Sequence, residues 1–151
     1  ENLVINVLED TSNILRATKM TPKRISYYSA TSWKWKIYIK ALEKSIATKI
    51  VLSDFMKELM KDSELRKMAE KVAKFASQAV AEINEMPEEK KHRQLQIGII
   101  DEQETLIETA KFFEREFNAK ISTYKEDDPK RYDPKKRAEV AKPYRPAIYI
   151  E

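Results

Sequence analysis

Two stretches far apart in the chain carry one pattern, and that pattern constrains the fold more than any other feature. "PKRISYYSA" starts at Pro22 and "NAKISTYKE" at Asn118, and each sets an Ile-Ser-x-Tyr core behind a basic residue. β-Branched and aromatic residues bounded by turn formers read as strands. A helical pattern precedes each copy. Two copies are too few for a solenoid, so the repeat predicts two similar helix–strand units lying side by side.

Most of what remains is helical in period. "LVINVLEDTSNILRATK" places Val4, Val7, Leu8, Ile14 and Leu15 on one side, and Thr21-Pro22 ends the run. "SWKWKIYIKALEKSIATKI" fits both a strand alternating through Trp33, Trp35, Ile37 and Ile39 and a helix. Its length, Ser32 as an N-cap and the helix formers after Lys40 favour the helix. Ser53 is placed to cap "DFMKELMKD". Ser63 is placed to cap a long helix from Glu64 to about Met86, with Leu65, Met68, Val72, Phe75, Ala79 and Ile83 on one stripe and Pro87 at its end. After a charged stretch and "LQIGI", Asp101 caps "EQETLIETAKFFEREF", with Leu106, Ala110, Phe113 and Phe117 facing inward. "DPKKRAEVA" reads as a short helix with Pro134 in its first turn, and "AIYI" as a last strand. The class is α+β, helix-rich, with a small sheet of about three short strands.

At 151 residues the chain is one domain or two small halves packed together. Its charged share of 36% exceeds the usual quarter, and Lys, Arg and Glu dominate it. Such composition is typical of hyperthermophile proteins and points to a hot-growing source. With no cysteine there is no disulfide and no thiolate metal site, which fits a reducing cytoplasm. No stretch has the apolar length of a membrane span, and the start does not read as a signal peptide. The sequence opens at Glu1 without an initiator Met and reads as a piece of something longer.

No enzyme site is visible in the residues. The single histidine, His92, sits in "EEKKHRQ" without a second metal ligand nearby, and reads as a solvated surface residue. The lone Gly98 excludes glycine-rich phosphate loops. Glu126-Asp127-Asp128 before Pro129 reads as a solvated turn in preference to a metal site. The expected catalytic and metal-ligating sets are therefore both empty.

Basic residues gather in two places. Between Thr11 and Leu42 there is no acid, while Arg16, Lys19, Lys23, Arg24, Lys34, Lys36 and Lys40 interleave with Tyr27, Tyr28, Trp33, Trp35 and Tyr38. Lysine and arginine neutralise phosphates, and aromatic rings stack on unpaired bases. The tryptophans read better as core anchors, and the lysines fit phosphate contacts and solvated flanks equally. The second cluster holds Lys130, Arg131, Lys135, Lys136, Arg137, Lys142 and Arg145, outnumbering Asp133 and Glu139. Pro143 and Pro146 stiffen the run into Ala147-Ile148-Tyr149-Ile150, so less entropy is lost on binding. Ile148 and Ile150 are placed to face a core while the backbone edge and basic flank face a partner.

The "DDPKRYDPKKRAEVAKPYRPAIYIE" ending, together with "SATSWKWKIYIKALE" after a helix–strand pair, resembles the C-terminal end of archaeal-type leucyl-tRNA synthetases, class I aminoacyl-tRNA synthetases. The resemblance covers essentially the whole chain. Lys136 departs from it, since a small residue such as Gly is expected there. The resemblance implies a helical region continuing from the anticodon-binding domain over 1–86, with one helix–strand unit, and a small α/β tRNA-binding unit over 87–151. It implies that the chain is part of a leucine–tRNA ligase, with catalysis, ATP and Mg belonging to a domain upstream and no cofactor here. The implied partners are the long variable arm of tRNA(Leu) and the rest of the synthetase chain, in a cytoplasmic monomer with no DNA or membrane partner. The basic cluster would follow phosphates, and Pro146, Ile148, Tyr149 and Glu151 would present backbone groups and a ring to unpaired bases. The alternative from another class is a protein-interaction or scaffold domain with no nucleic-acid role.

Overall fold

A computed structural model describes residues 2–151. Seven α-helices and three strands follow one another among them: α1 (Asn2–Thr18), β1 (Arg24–Ser29), α2 (Ser32–Ala47), α3 (Leu52–Leu59), α4 (Ser63–Arg66), α5 (Ala69–Asn84), α6 (Glu88–Ile97), α7 (Glu102–Phe117), β2 (Lys120–Lys125) and β3 (Ala147–Ile150), with a 3-10 helix at Ala138–Val140 between the last two. The fold is α+β with one small mixed sheet, as the sequence implies.

The repeated stretches pair with each other. β1 and β2 lie parallel, with Arg24 opposite Lys120, Ile25 opposite Ile121, Ser26 opposite Ser122 and Tyr28 opposite Tyr124, so the echo is in register. Their helices also stop alike. Lys19 (φ 55) follows α1 and Asn118 (φ 49) follows α7, both left-handed, and each donates its N–H back into its helix. β3 runs antiparallel on the other side of β1, giving the order β2-β1-β3.

The contacts form two compact units. One joins the described residues up to Thr31 with Asp101–Glu151; the other is Ser32–Ile100. The physical reason is β1, whose pairing with β2 and β3 ties the start of the chain to its end.

In the first unit α1 and α7 cover one face of the sheet. Tyr27 from β1 meets Phe113 of α7 at a ring-centroid distance of 5.5 Å, and its hydroxyl lies 2.8 Å from Thr11 Oγ1 of α1. The other face carries Tyr28, packed with Ala138, Ala141 and Ala147 and stacked on Tyr124 at 5.8 Å. Burial above all, with Asp133 adding to it, pushes the Tyr28 phenol up to about 12. Its hydroxyl donates to the Tyr132 carbonyl.

In the second unit α2 packs on α5 and α6. Trp35, Tyr38, Leu42, Phe55, Val72 and Ile83 are buried there. Asn84 binds both the N–H and the C=O of Ile50, at 3.0 and 3.1 Å. Several expectations change here. α3 opens at Leu52 behind Val51, so Ser53 lies inside the helix and does not cap it. The long helix from Glu64 to Met86 is broken into α4 and α5 at Met68, whose backbone (φ −118, ψ 33) leaves the helical region. The cap ahead of α4 is Asp62, which accepts from Glu64 N and Leu65 N, and not Ser63. The charged stretch after Pro87 is a helix, α6, closed by Gly98 at φ 74. That positive φ is a conformation only glycine adopts readily.

Candidate functional site

The first acid-free cluster is mostly interior. Tyr27, Tyr28, Trp35 and Tyr38 are buried, so they build core and offer no stacking surface. Trp33 is half-buried and packs edge-on against Phe75. Lys34 is itself buried, with Nζ 5.7 Å from the Trp33 ring centre and 5.6 Å from that of Phe75. Lys36 is tied to Asp62. His92 is exposed. Glu126 accepts from Thr31 N at 3.1 Å and Asp128 from Lys130 N at 2.8 Å, so both carboxylates serve backbone turns.

The second cluster lies on a folded loop between β2 and β3. The segment read as a short helix is instead a turn followed by the 3-10 helix. Asp133 explains the difference: its carboxylate accepts from Arg137 N at 2.7 Å and Ala138 N at 3.1 Å. Pro134 therefore leads a turn, which Lys136 closes by donating its N–H to the Asp133 carbonyl at 3.3 Å. Lys136 stands at φ 53, in the left-handed region that favours glycine. The position where a small residue was expected is thus a strained turn occupied by lysine. Lys130, Arg131, Lys135, Lys136 and Arg137 are all exposed on this loop. Arg131 lies 3.7 Å from Asp133 and donates to the Asp128 carbonyl at 3.0 Å.

A second turn, Lys142-Pro143-Tyr144-Arg145, delivers β3. Arg145 N donates to the Lys142 carbonyl at 2.9 Å. Pro143 followed by Tyr144 at φ 67 has the signature of a type II turn, in which the third position prefers glycine. Holding a tyrosine there costs about 1–2 kcal/mol. Three side chains from the helices hold it. Glu102 at the start of α7 accepts from Tyr144 N at 2.9 Å, Asn6 of α1 donates to the Tyr144 carbonyl at 3.2 Å, and Asp10 of α1 pairs with Arg145 at 2.5 Å. Pro146 is buried and Lys142 half-buried, so these two shape the turn more than they cover its surface.

β3 is an edge strand. Glu151 and Arg24 exchange backbone hydrogen bonds at 3.0 and 3.1 Å. In an antiparallel ladder such pairs alternate. Ser26–Tyr149 is therefore also a bonded pair, whereas Ile148 and Ile150 turn their N–H and C=O groups away from β1. No strand among the described residues pairs with that outer edge. The same alternation puts the Ile148 and Ile150 side chains on the helix side with Tyr27 and Ile25, and Tyr149 on the opposite face.

That opposite face holds residues which sequence reasoning left apart. Arg24 lies beside Lys120 on one side and Glu151 on the other. Its guanidinium carbon sits 4.4 Å from the centre of the Tyr132 ring. The Tyr132 hydroxyl donates to Glu151 Oε1 at 2.9 Å, and that bond raises its pKa. The Tyr149 ring lies 6.2 Å from that of Tyr132. Arg24 of the first basic cluster thus meets Tyr132, which sits within the second. The in-register echo was the signal for Arg24 and Lys120; Asn6, Asp10 and Glu102 carried none.

The described residues include no group of three or more His, Asp or Glu side chains placed to hold a metal. No protein-family model matches the chain. Similarity to known proteins runs along its whole length. A leucine–tRNA ligase of Methanococcoides burtonii is 36% identical over 151 residues, and one of Methanosarcina acetivorans 35% identical over 151. Another, of Pyrococcus abyssi, is 32% identical over 152 residues. The chain spans only 14–16% of the length of these relatives.

Proposed function

Because archaeal leucine–tRNA ligases are homologous to this chain from end to end, we propose that it is the C-terminal tRNA-recognition part of such an enzyme and binds the long variable arm of tRNA(Leu). The observation that carries this reading is the outer edge of β3 at Ile148 and Ile150, which no strand among the described residues pairs, together with the exposed basic loop at Lys130, Arg131, Lys135, Lys136 and Arg137. Fixed backbone donors and acceptors suit the edges of unpaired bases, and mobile cations suit the phosphates beside them. Arg145 and Tyr149 extend the same surface, and Pro146 holds it in place.

The described residues hold no group of three or more candidate metal ligands, and the sequence has one glycine. On this reading the chemistry of leucylation belongs to the rest of the synthetase chain, in a cytoplasmic, monomeric enzyme. This chain contributes tRNA selection.

A salt titration of tRNA binding tests the loop. With about five phosphates neutralised, log K against log salt falls with a slope of roughly −4 to −5. Replacing Lys135, Lys136 and Arg137 together by alanine should flatten that slope by about 2–3 while leaving the melting temperature unchanged. An unchanged slope would remove the loop from the interface.

A further inference from the structure

We infer that Glu102 and Asn6 are positioning residues, which set the angle of the terminal strand for the variable arm without touching RNA themselves. This rests on the tRNA-binding reading and assigns residues that lie on the helices, outside the basic loop and the strand. Glu102 is buried and Asn6 half-buried, so neither is placed to reach a bound RNA. Lys142 and Arg145 close their turn on each other: Arg145 N donates to the Lys142 carbonyl at 2.9 Å, and Lys142 N to the Arg145 carbonyl at 3.2 Å. The backbone groups of Tyr144 take no part in that closure, and side chains of two helices bind both. Glu102 of α7 accepts from its N–H at 2.9 Å, and Asn6 of α1 donates to its carbonyl at 3.2 Å.

The bonds between Lys142 and Arg145 suffice to keep the turn closed. Bonds from two helices, one to an N–H and one to a C=O, also fix its direction. Tyr144 stands at φ 67, and such a conformation in a residue other than glycine persists only where its surroundings hold it. Past Pro146 the chain enters β3, which is four residues long and pairs with β1 alone among the described strands. The outer edge at Ile148 and Ile150 therefore takes its angle from β1 and from this turn. An edge held at one angle loses little entropy when a base meets it, whereas a loosened edge must first be ordered. The exposed basic loop is held separately, by Asp133, so its phosphate contacts do not pass through Tyr144.

The test uses the full-length polypeptide that carries this chain, with two tRNA probes: one with a long variable arm ending in unpaired nucleotides, and the same tRNA with the arm trimmed. The readout is the ratio of the two dissociation constants, with the salt slope as a control. Glu102→Ala is expected to lower the preference for the long arm about fivefold and to leave the salt slope unchanged, since no phosphate contact is lost. Glu102→Gln keeps an acceptor for the Tyr144 amide and is expected to stay within about twofold of wild type. Asn6→Ala is expected to lower the preference about threefold, and it decides the matter if Glu102→Ala does not fold. Folded variants that keep the full preference refute the positioning role and leave the variable-arm reading standing. Equal weakening on both probes refutes it too, because that is what a general loss of stability gives. A wild type indifferent to the arm refutes the variable-arm reading and this role with it.

Discussion

At the scale of single residues, the terminal turn is held by helices far from it in sequence. Glu102 is 2% exposed and accepts from the Tyr144 amide. Losing the acceptor leaves a buried N–H unsatisfied, so Glu102→Ala should lower stability by about 1–3 kcal/mol in a denaturant titration. Glu102→Gln keeps an acceptor and should cost less. Equal stability of wild type and Glu102→Ala would mean that the turn does not depend on this bond. Sequence reasoning read Glu102 only as the first residue of a helix, because its partner is 42 positions away. Lys136 was different: an expected small residue was enough to mark a special backbone position, and the left-handed φ of 53 gives the cause.

At the scale of elements, legibility followed the strength of local signals. α7 was readable because Asp101 caps it through Glu104 N at 3.0 Å and Leu106 and Phe113 repeat at helical spacing on its buried side. α6 was not, since its buried positions are Lys91 and Gln94 and no apolar stripe announces it. The break at Met68 involves neither proline nor glycine, so nothing local marks it. The loop after β2 misled for a physical reason: Asp133, placed to start a helix, caps two amides of a turn instead. Asp133→Ala should therefore loosen the loop without melting the sheet. Hydrogen exchange should rise at the Arg137 and Ala138 amides and stay slow in β1. Faster exchange throughout β1 would show that the loop and sheet unfold together.

At the scale of the whole molecule, the repeated strands and the basic ending were both visible in the sequence, but their meeting was not. Parallel pairing of β1 with β2 and antiparallel pairing with β3 bring Arg24, Lys120 and Glu151 into one row, and pairing over such separations leaves no local trace. The division into units follows the same logic, since a strand near the start is completed only by strands near the end. The proposed role in tRNA selection depends on that assembled end of the sheet, where the β3 edge lies with the half-buried Tyr132, Tyr149 and Arg24 and the exposed Lys120. The most direct measurement is the equilibrium affinity of the full-length polypeptide for tRNA(Leu) with its long variable arm intact and with the arm trimmed, at one fixed salt concentration. Loss of about tenfold or more on trimming is the predicted result; equal affinity for the two would contradict recognition of the arm by this chain.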